Sequence, residues 1–330
     1  MAKKLSPHRS VRVAIAQSSA VYLDARGSLA KALKLIEQAA KKGAQLVAMG
    51  ETWLPGYPAW LDHCSDAALW DHSATKEVFA RLRENSITAN GAEARALAQA
   101  AADHCVTVVI GVNERVDSGP GNGTLYNSLF TFTPDGKLAN HHRKLVPTYT
   151  ERMVWGNGDG DGLQAVDAGW GRVGGLICWE HWMPLTRQAM HDSGEHVHVA
   201  VWPTAHENHH LASRHYAFEG RCFVLVVGLI MKAADLPREM AKQTKKKPGG
   251  LLLGGGSAIY APDGRCVVEP VFGKESLIVA DLDLREVDKE RMTLDVSGHY
   301  SRPDVFTFSR KGTSRKPSAQ LARPSRKVKS

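Results

Sequence analysis

One cysteine, Cys178, lies where an apolar run gives way to polar and aromatic residues, in the segment Gly174-Gly-Leu-Ile-Cys178-Trp-Glu-His-Trp-Met-Pro184. The apolar run predicts a strand, and Pro184 can open a helix, so Cys178 is expected on a tight, exposed strand-to-helix turn. A nearby helix N-terminus favours the thiolate, the nucleophilic form of cysteine. A free cysteine is more often a buried strand residue, but the polar residues after Cys178 weaken that alternative.

An acidic residue, Glu51, follows the apolar run Leu46–Met49 in the segment Gly50-Glu51-Thr-Trp-Leu-Pro-Gly-Tyr57-Pro. An acid at the end of a buried strand, entering a loop rich in proline and glycine, has the placement of a general base. A solvated strand end is the commoner alternative for such a residue taken alone.

A lysine and a second acid, Lys144 and Glu151, flank a proline in the segment His141-His-Arg-Lys144-Leu-Val-Pro-Thr-Tyr-Thr-Glu151-Arg-Met-Val-Trp155. A lysine in an irregular stretch could stabilise a developing negative charge, and a carboxylate could orient it. Opposite charges a few ångströms apart would also keep one another ionised if buried. The alternative is an exposed basic loop.

Short apolar runs alternate with helical patterns along the chain. Strands are predicted at Val11–Gln17, Gln45–Met49, Val106–Val112, Leu125–Phe132, Val173–Cys178, Val197–Trp202, Phe223–Ile230, Ser257–Tyr260 and Leu277–Leu282. Helices are predicted at Ser28–Lys42, Glu77–Asn85, Ala92–Asp103, Leu185–His191 and His209–Arg221. A strand-helix-strand start followed by Pro-Asp-Gly turns at 134 and 262 predicts an α/β fold in which mixed sheets are covered by helices.

The charge of +8 is concentrated at the C-terminus. Residues 310–330 hold eight of the 42 basic residues and no acid, so residues 1–309 balance 34 basic against 34 acidic residues. We expect one domain over 1–309 and a disordered basic tail over 310–330. The tail lacks aromatic residues for base stacking, so a solvated tail, or one that touches neighbouring subunits, is favoured over nucleic-acid binding.

Membrane, secreted and thiolate-metal classes are not favoured by the sequence. No segment approaches the roughly 20 continuous apolar residues of a membrane helix, and the apolar stretch Val11–Ala16 is too short for a signal peptide. The five cysteines form no C-x-x-C pair, which argues against a disulfide framework or a thiolate zinc site. We expect a cytoplasmic protein with no membrane partner.

Together the three segments resemble the nitrilase superfamily, and specifically its nitrilase branch. The resemblance runs in order from Val11 to Phe308 and includes Pro-Gly-Tyr-Pro after Glu51, Cys-Trp-Glu-His at Cys178 and Gly298-His-Tyr-Ser-Arg-Pro-Asp. It assigns the family's Glu–Lys–Cys triad to Glu51, Lys144 and Cys178, and its supporting glutamate to Glu151. Met49-Gly50 stands where Phe-Pro is common in the family.

The resemblance implies an α-β-β-α sandwich that forms homodimers and often larger spirals. It implies hydrolysis of a nitrile to a carboxylic acid and ammonia through a covalent thioimidate and thioester, with no metal or organic cofactor. Glu51 would be the general base, while Lys144 and the backbone N–H of Trp179 would stabilise negative charge on the substrate.

Aromatic and polar residues beside the motifs are candidates for the substrate pocket. These residues are Tyr57, Trp155, Trp179, Trp202 and Thr204. Ordinary core or dimer-interface packing is at least as common a role for a tryptophan.

Three alternatives stay open at this stage. An amidase or carbamoylase of the same superfamily would use the same triad, and a cyanide-converting relative is a narrower variant. A metallohydrolase is the alternative of a different class, because imidazole is a common metal ligand and histidines cluster in the chain. The cluster consists of His196, His198, His206, His209 and His210.

Overall fold

The computed structural model describes residues 10–311, which form two β-sheets and their covering helices. The strands are β1 (Ser10–Gln17), β2 (Leu46–Leu54), β3 (Thr107–Arg115), β4 (Leu125–Phe132), β5 (Leu138–Arg143), β6 (Val166–Asp167), β7 (Arg172–Ile177), β8 (Val197–Val201), β9 (Phe223–Val227), β10 (Ile230–Lys232), β11 (Leu251–Tyr260), β12 (Cys266–Phe272) and β13 (Ser276–Asp283). The α-helices are α1 (Ala25–Lys41), α2 (Trp60–His63), α3 (Ser73–Asn85), α4 (Ala92–Asp103), α5 (Pro184–His191), α6 (Glu207–Gly220), α7 (Arg238–Ala241) and α8 (Arg285–Arg291). Short 3-10 helices cover Tyr149–Met153, Cys178–Trp182 and Ala233–Asp235.

Both sheets are mixed. The first has the strand order β13-β1-β2-β3-β4-β5, with parallel pairing of β1, β2 and β3 and antiparallel pairing at both flanks. The second has the order β10-β11-β9-β8-β7-β6, with β7, β8 and β9 parallel and β12 paired to β11. In each sheet the parallel strands end at one common edge, where loops can bring side chains together.

The alternation of side chains along β1 separates two apolar layers. Val13 and Ile15 pack in the core between the sheets, whereas Ala14 packs with Ile36 of α1 on the outer face. α4 packs on β3 and β4, and α6 packs on β9 and β11. The predicted α-β-β-α sandwich of two mixed sheets covered by helices is therefore confirmed.

Each predicted strand and helix corresponds to an observed one, but several boundaries differ. β2 runs on to Leu54, β11 begins at Leu251, and the predicted strand Phe223–Ile230 divides into β9 and β10. The division falls at Gly228, whose backbone packs so closely on Gly255 that a Cβ would lie 2.1 Å from the Gly255 carbonyl oxygen.

Part of the sequence prediction falls outside the described residues. Residues 312–330, which make up most of the predicted disordered tail, are not described, and neither are residues 1–9. Within residues 10–311, no helix is long and apolar enough to cross a membrane.

Candidate active site

Cys178 lies on the predicted strand-to-helix turn. β7 ends at Ile177, Cys178 begins a 3-10 helix, and Pro184 is the first residue of α5. The φ angle of Cys178 is +54°, a left-handed conformation that is uncommon for a residue with a Cβ. The prediction that this cysteine is exposed is wrong, because the side chain turns towards buried charged groups and only 4% of its surface reaches solvent.

Glu51 lies in a bulge of β2. Met49 pairs with Ile110 and Leu54 with Val112, so that residues 50–53 lie opposite Gly111 alone. A Cβ on Gly111 would lie 2.2 Å from the Gly50 carbonyl oxygen, so this strand position needs glycine for the bulge to form. Glu51 is fully buried, and the alternative of a solvated strand end is wrong.

Lys144 follows β5 directly, and its backbone is held on both sides. Its N–H donates to the Asn127 carbonyl at 2.8 Å, and its carbonyl accepts from the Gly158 N–H at 2.8 Å. The side chain is 1% exposed, so the alternative of an exposed basic loop is wrong. Glu151 lies on the 3-10 helix Tyr149–Met153, where its Oε2 accepts from the Thr148 N–H at 2.7 Å.

These side chains converge on one buried cluster. Lys144 Nζ donates to Glu151 Oε2 at 2.6 Å and to Glu51 Oε1 at 3.1 Å. The Cys178 thiol sulfur and one carboxylate oxygen of each glutamate all lie within 4.8 Å of one another. Asn127 Nδ2 donates to Glu51 Oε1 at 2.7 Å. The Lys144 ammonium lies between the two carboxylates, and this pairing offsets part of the cost of burying charge away from water.

Burial sets the protonation of the two reactive groups. It raises the pKa of Glu51 to about 7, against the lowering effect of the Lys144 ammonium. Burial, together with the Glu51 carboxylate, raises the pKa of the Cys178 thiol well above its ordinary value, while Lys144 and the Trp179 backbone N–H lower it. The thiol is therefore protonated at neutral pH and needs a base.

Glu51 has an oxygen available for that proton. Its Oε1 accepts from Asn127 and Lys144, whereas its buried Oε2 has no hydrogen-bond partner among residues 10–311. A carboxylate with one oxygen held and the other open, near a buried thiol, is suited to general-base work. The cluster thus brings together a thiol, a carboxylate with an open oxygen and a cation, which are the groups that a nucleophile, its base and the stabilisation of negative charge would need.

Metal-ligand groups occur in this cluster, but a cation is already in place. Glu51, Glu151 and Cys178 offer ligand atoms, and the Lys144 ammonium lies within hydrogen-bond distance of both carboxylates. The metal site predicted as an alternative in the histidine-rich segment does not form: within the described part of the chain, no three ligand groups of that segment converge. His198, for instance, is engaged with Glu195 at 2.7 Å.

Two of the predicted pocket residues lie beside the cluster. The Tyr57 hydroxyl donates to Glu151 Oε1 at 2.9 Å. The ring of Trp155 packs 5.8 Å from that of Tyr57, and its Nε1–H donates to Asn113 Oδ1 at 2.9 Å. Both rings are buried. Tyr57 therefore contacts the charged cluster through Glu151, and Trp155 packs against Tyr57.

The other predicted pocket residues are Trp179, next to Cys178, and Trp202 and Thr204, which follow β8. The Trp179 side chain is 53% exposed, whereas Trp202 is fully buried and stacks on His181 with ring centroids 4.9 Å apart. The Thr204 hydroxyl accepts from the backbone N–H of Gly254 in β11. Substrate binding by these three residues stays a prediction.

Two buried residues of the site escaped the sequence analysis. Asn127 supports Glu51, and the only signal for it is a polar residue within the apolar strand Leu125–Phe132. Glu180 accepts the backbone N–H of Ile177 and that of Leu145, both at 2.8 Å. An acid two residues after a candidate nucleophile was a visible signal for this second residue.

Comparison with known proteins shows the family. A family model described as carbon-nitrogen hydrolase matches residues 12–291. The chain belongs to the carbon–nitrogen hydrolase family. It is 39% identical over 297 residues to an aliphatic nitrilase of Sinorhizobium fredii, which covers 89% of this chain and 94% of that protein. It is also 37% identical over 328 residues to an arylacetonitrilase of Aspergillus niger, covering 94% of this chain and 92% of that protein.

Solved structures of carbon–nitrogen hydrolases share the fold. Saccharomyces cerevisiae Nit3, a member of branch 10 of the nitrilase superfamily, superposes with a TM-score of 0.67 at 20% identity, covering 91% of this chain and 99% of that one. An amidase from Nesterenkonia sp. superposes with a TM-score of 0.58 at 18% identity, covering 88% and 96%. The curated relatives confirm the prediction that this carbon–nitrogen hydrolase belongs to the nitrilase branch.

Proposed function

We propose that this carbon–nitrogen hydrolase converts an organic nitrile and two water molecules into a carboxylic acid and ammonia. The observation that carries the proposal is the buried cluster in which Lys144 bridges Glu51 and Glu151 beside the Cys178 thiol. The relatives named as aliphatic nitrilase and arylacetonitrilase support nitriles as the substrate class.

The first half of the reaction forms a covalent intermediate. Glu51 takes the thiol proton as the Cys178 sulfur adds to the nitrile carbon, and the nitrogen gains a proton to give a thioimidate. Lys144 and the Trp179 backbone N–H stabilise the negative charge that develops on the nitrogen. One such donor typically contributes about 10²–10³ in rate.

The second half releases the products. Glu51 activates a water molecule that adds to the thioimidate carbon, and ammonia leaves to give a thioester. A second water molecule then cleaves the thioester, releasing the carboxylic acid and restoring the Cys178 thiol. Glu151 does not exchange protons in this scheme; it holds the Lys144 ammonium at 2.6 Å and so keeps it charged and oriented.

An amidase activity of the same site is the alternative within the family. An amide would enter the sequence at the tetrahedral stage and use the same Cys178 nucleophile, so the geometry of the charged cluster serves both substrates. The curated relatives favour nitriles, and direct competition between the two substrate types decides the question.

Self-association is part of the proposal. Exposed apolar side chains line the outer faces of two helices, namely Leu185 of α5 and Leu211 and Phe218 of α6, with exposures of 71%, 66% and 46%. Burial of such a face against a second copy would remove apolar surface from water. Sedimentation of the full chain tests for the homodimer. Sedimentation of Leu211→Glu tests the role of the helical face, and sedimentation of a chain lacking residues 310–330 tests the role of the tail in larger spirals.

The decisive experiment measures ammonia release from a panel of aliphatic and arylaliphatic nitriles and their matching amides. We expect wild type to turn over nitriles and Cys178→Ala to lose this activity while it keeps its circular dichroism spectrum. Cys105→Ala is the matched control, because Cys105 is an exposed free cysteine. Turnover of amides alone would contradict the nitrile assignment, and ammonia release by the Cys178→Ala variant would contradict the nucleophile.

A further inference from the structure

A chain of buried hydrogen bonds runs from Cys178, at the end of β7, through His181 and His198 of β8 to Glu195. His181 Nδ1 lies 2.7 Å from the Cys178 carbonyl oxygen, and His181 Nε2 lies 3.0 Å from His198 Nε2. His198 Nδ1 in turn lies 2.7 Å from Glu195 Oε1. No more than 2% of His181, His198 or Glu195 is exposed. This chain contacts the backbone of Cys178 and has no role in the proton transfers proposed above.

The carbonyl at one end dictates where each proton lies. A carbonyl oxygen only accepts, so His181 must carry its proton on Nδ1. Neutral His181 then accepts at Nε2, which requires a proton on His198 Nε2. Neutral His198 accepts at Nδ1, so the Glu195 carboxyl must be protonated and donate to it. The carbonyl fixes the proton on His181 Nδ1, and the other two directions follow when both imidazoles are neutral.

We propose that His181 is a positioning residue for catalysis, which holds the Cys178 carbonyl and thereby the left-handed turn that directs the thiol at Glu51 and Lys144, and that His198 and Glu195 fix the tautomer in which it does so. This inference rests on the proposed function. It gives roles to three residues that touch neither the thiol nor the two carboxylates of the charged cluster.

Burial favours the uncharged forms of the Glu195 carboxyl and of the His181 and His198 imidazoles. Burial raises the pKa of Glu195 to about 8, lowers that of His181 to about 3 and lowers that of His198 well below its ordinary value. The Tyr216 hydroxyl donates to Glu195 Oε2 at 2.5 Å. These shifts favour the neutral forms of His198 and Glu195, in which the Glu195 carboxyl donates to His198 Nδ1.

Close packing leaves the side chains of these hydrogen bonds little freedom to rearrange. A Cβ at Gly174 of β7 would lie 1.8 Å from Glu195 Oε1, so glycine makes room for this carboxyl. The ring of Trp202 stacks on His181 at an interplanar angle of 29°. A His181 ring fixed on one face by Trp202 and at both nitrogens by hydrogen bonds is pre-organised to hold the Cys178 carbonyl.

Two replacements of His181 separate the roles of its nitrogens. An asparagine amide reaches the place of Nδ1 and can donate to the Cys178 carbonyl, whereas a glutamine amide reaches the place of Nε2 and cannot. We expect His181→Asn to keep kcat within about tenfold of wild type, and His181→Gln to lose about 100-fold in kcat with KM within about threefold. His210→Asn is the control, because His210 uses Nδ1 for a hydrogen bond to Tyr260 in the same sheet region.

Replacements of Glu195 test whether the far end of these hydrogen bonds needs a partner for His198. In Glu195→Gln the amide N–H can still donate to His198 Nδ1, and the amide oxygen can still accept from Tyr216. We expect this variant to keep kcat within about threefold of wild type. Glu195→Ala should lose about 100-fold in kcat, as His181→Gln does. If a His181 variant fails to fold, the Glu195 pair still decides the proposal.

The readout includes a measurement that is independent of nitrile turnover. The rate at which iodoacetamide alkylates Cys178, followed by mass spectrometry of its peptide, should rank the variants in the same order as kcat. This ranking holds even if wild type hydrolyses no nitrile, an outcome that would contradict the proposed function alone. Equal kcat and alkylation rates in His181→Asn and His181→Gln, or full activity in Glu195→Ala, would overturn the positioning role.

Discussion

The Glu180 carboxylate accepts a hydrogen bond from the backbone N–H of Leu145 at 2.8 Å, across 35 residues of sequence. The same carboxylate accepts the N–H of Ile177 at 2.8 Å. Because Leu145 follows Lys144 and Ile177 precedes Cys178, one buried side chain fixes the backbone next to both groups. The distance between the Cys178 thiol and the Lys144 ammonium therefore depends on a residue outside the predicted triad.

Replacement of this carboxylate by an amide should damage both stability and rate. In Glu180→Gln, the amide NH2 must face a backbone N–H that now lacks an acceptor. We expect a loss of about 1–3 kcal/mol in the free energy of unfolding, since a buried donor is left unsatisfied. We also expect kcat to fall at least about tenfold, because small displacements of reacting groups are costly. Urea unfolding and steady-state kinetics measure the two effects.

Glu114 provides the matched control for this variant. It is also a buried carboxylate, and it accepts hydrogen bonds from Arg143, His141 and Ser128. Glu114→Gln should lose a comparable free energy of unfolding with a much smaller loss of kcat. Equal losses of kcat in both variants would show that general destabilisation, and not placement of Lys144 and Cys178, explains the effect of Glu180→Gln.

The pKa of Glu51, raised by burial to about 7, predicts the acid limb of the pH profile. The base must be ionised to take the thiol proton, so kcat/KM should fall as the pH drops below about 7 and level off above it. Alkylation of Cys178 by iodoacetamide should show the same limb in wild type. In Glu51→Gln that limb should move to higher pH, towards the raised pKa of the thiol itself. An acid limb that stays unchanged in Glu51→Gln would argue against Glu51 as the base.

Substitutions of Glu151 and Tyr57 should differ in their effects on kcat/KM, although the two side chains share a hydrogen bond of 2.9 Å. Tyr57→Phe removes one neutral donor, and Glu151 keeps its contacts with Lys144 and the Thr148 N–H, so we expect a loss of about 1 kcal/mol, or roughly fivefold, in kcat/KM. Glu151→Gln weakens the pairing of the buried Lys144 ammonium. We expect this variant to lose about 3–5 kcal/mol, or roughly 10²–10³-fold or more, in kcat/KM. Kinetics on one nitrile measure both. A loss from Tyr57→Phe as large as that from Glu151→Gln would indicate direct contact of the hydroxyl with substrate.

The side chains that converge in the charged cluster could be singled out from the sequence because each lies in a segment with its own local signal. Cys178 and Glu51 follow apolar runs, and Lys144 stands near Glu151 around a proline. The burial of these groups could not be predicted, since it depends on how separate strands meet. The roles of Asn127 and Glu180 could not be predicted for the same reason, because they depend on hydrogen bonds to distant parts of the chain.

The strands that the sequence failed to predict lie at sheet margins. β5 is the last strand of the first sheet, and its sequence Leu-Ala-Asn-His-His-Arg shows no apolar alternation. Within residues 10–311, β12 pairs only with β11, and it contains Pro270, which is tolerated in such positions. Edge strands bury less surface, so their patterns are weaker than those of central strands such as β1 and β8.

The bulge that carries Glu51 gives the sharpest test of how the backbone builds the site. Gly111→Ala would place a Cβ 2.2 Å from the Gly50 carbonyl oxygen and 2.5 Å from the Thr52 nitrogen, so the bulge must move. We expect a loss of several kcal/mol in unfolding free energy, in the range of severe overpacking, and a loss of at least about 10²-fold in kcat because Glu51 shifts away from the thiol. Gly123→Ala is the control, because a Cβ there meets no atom within 4 Å. A folded Gly111→Ala variant with wild-type kcat would show that the base does not depend on the bulge.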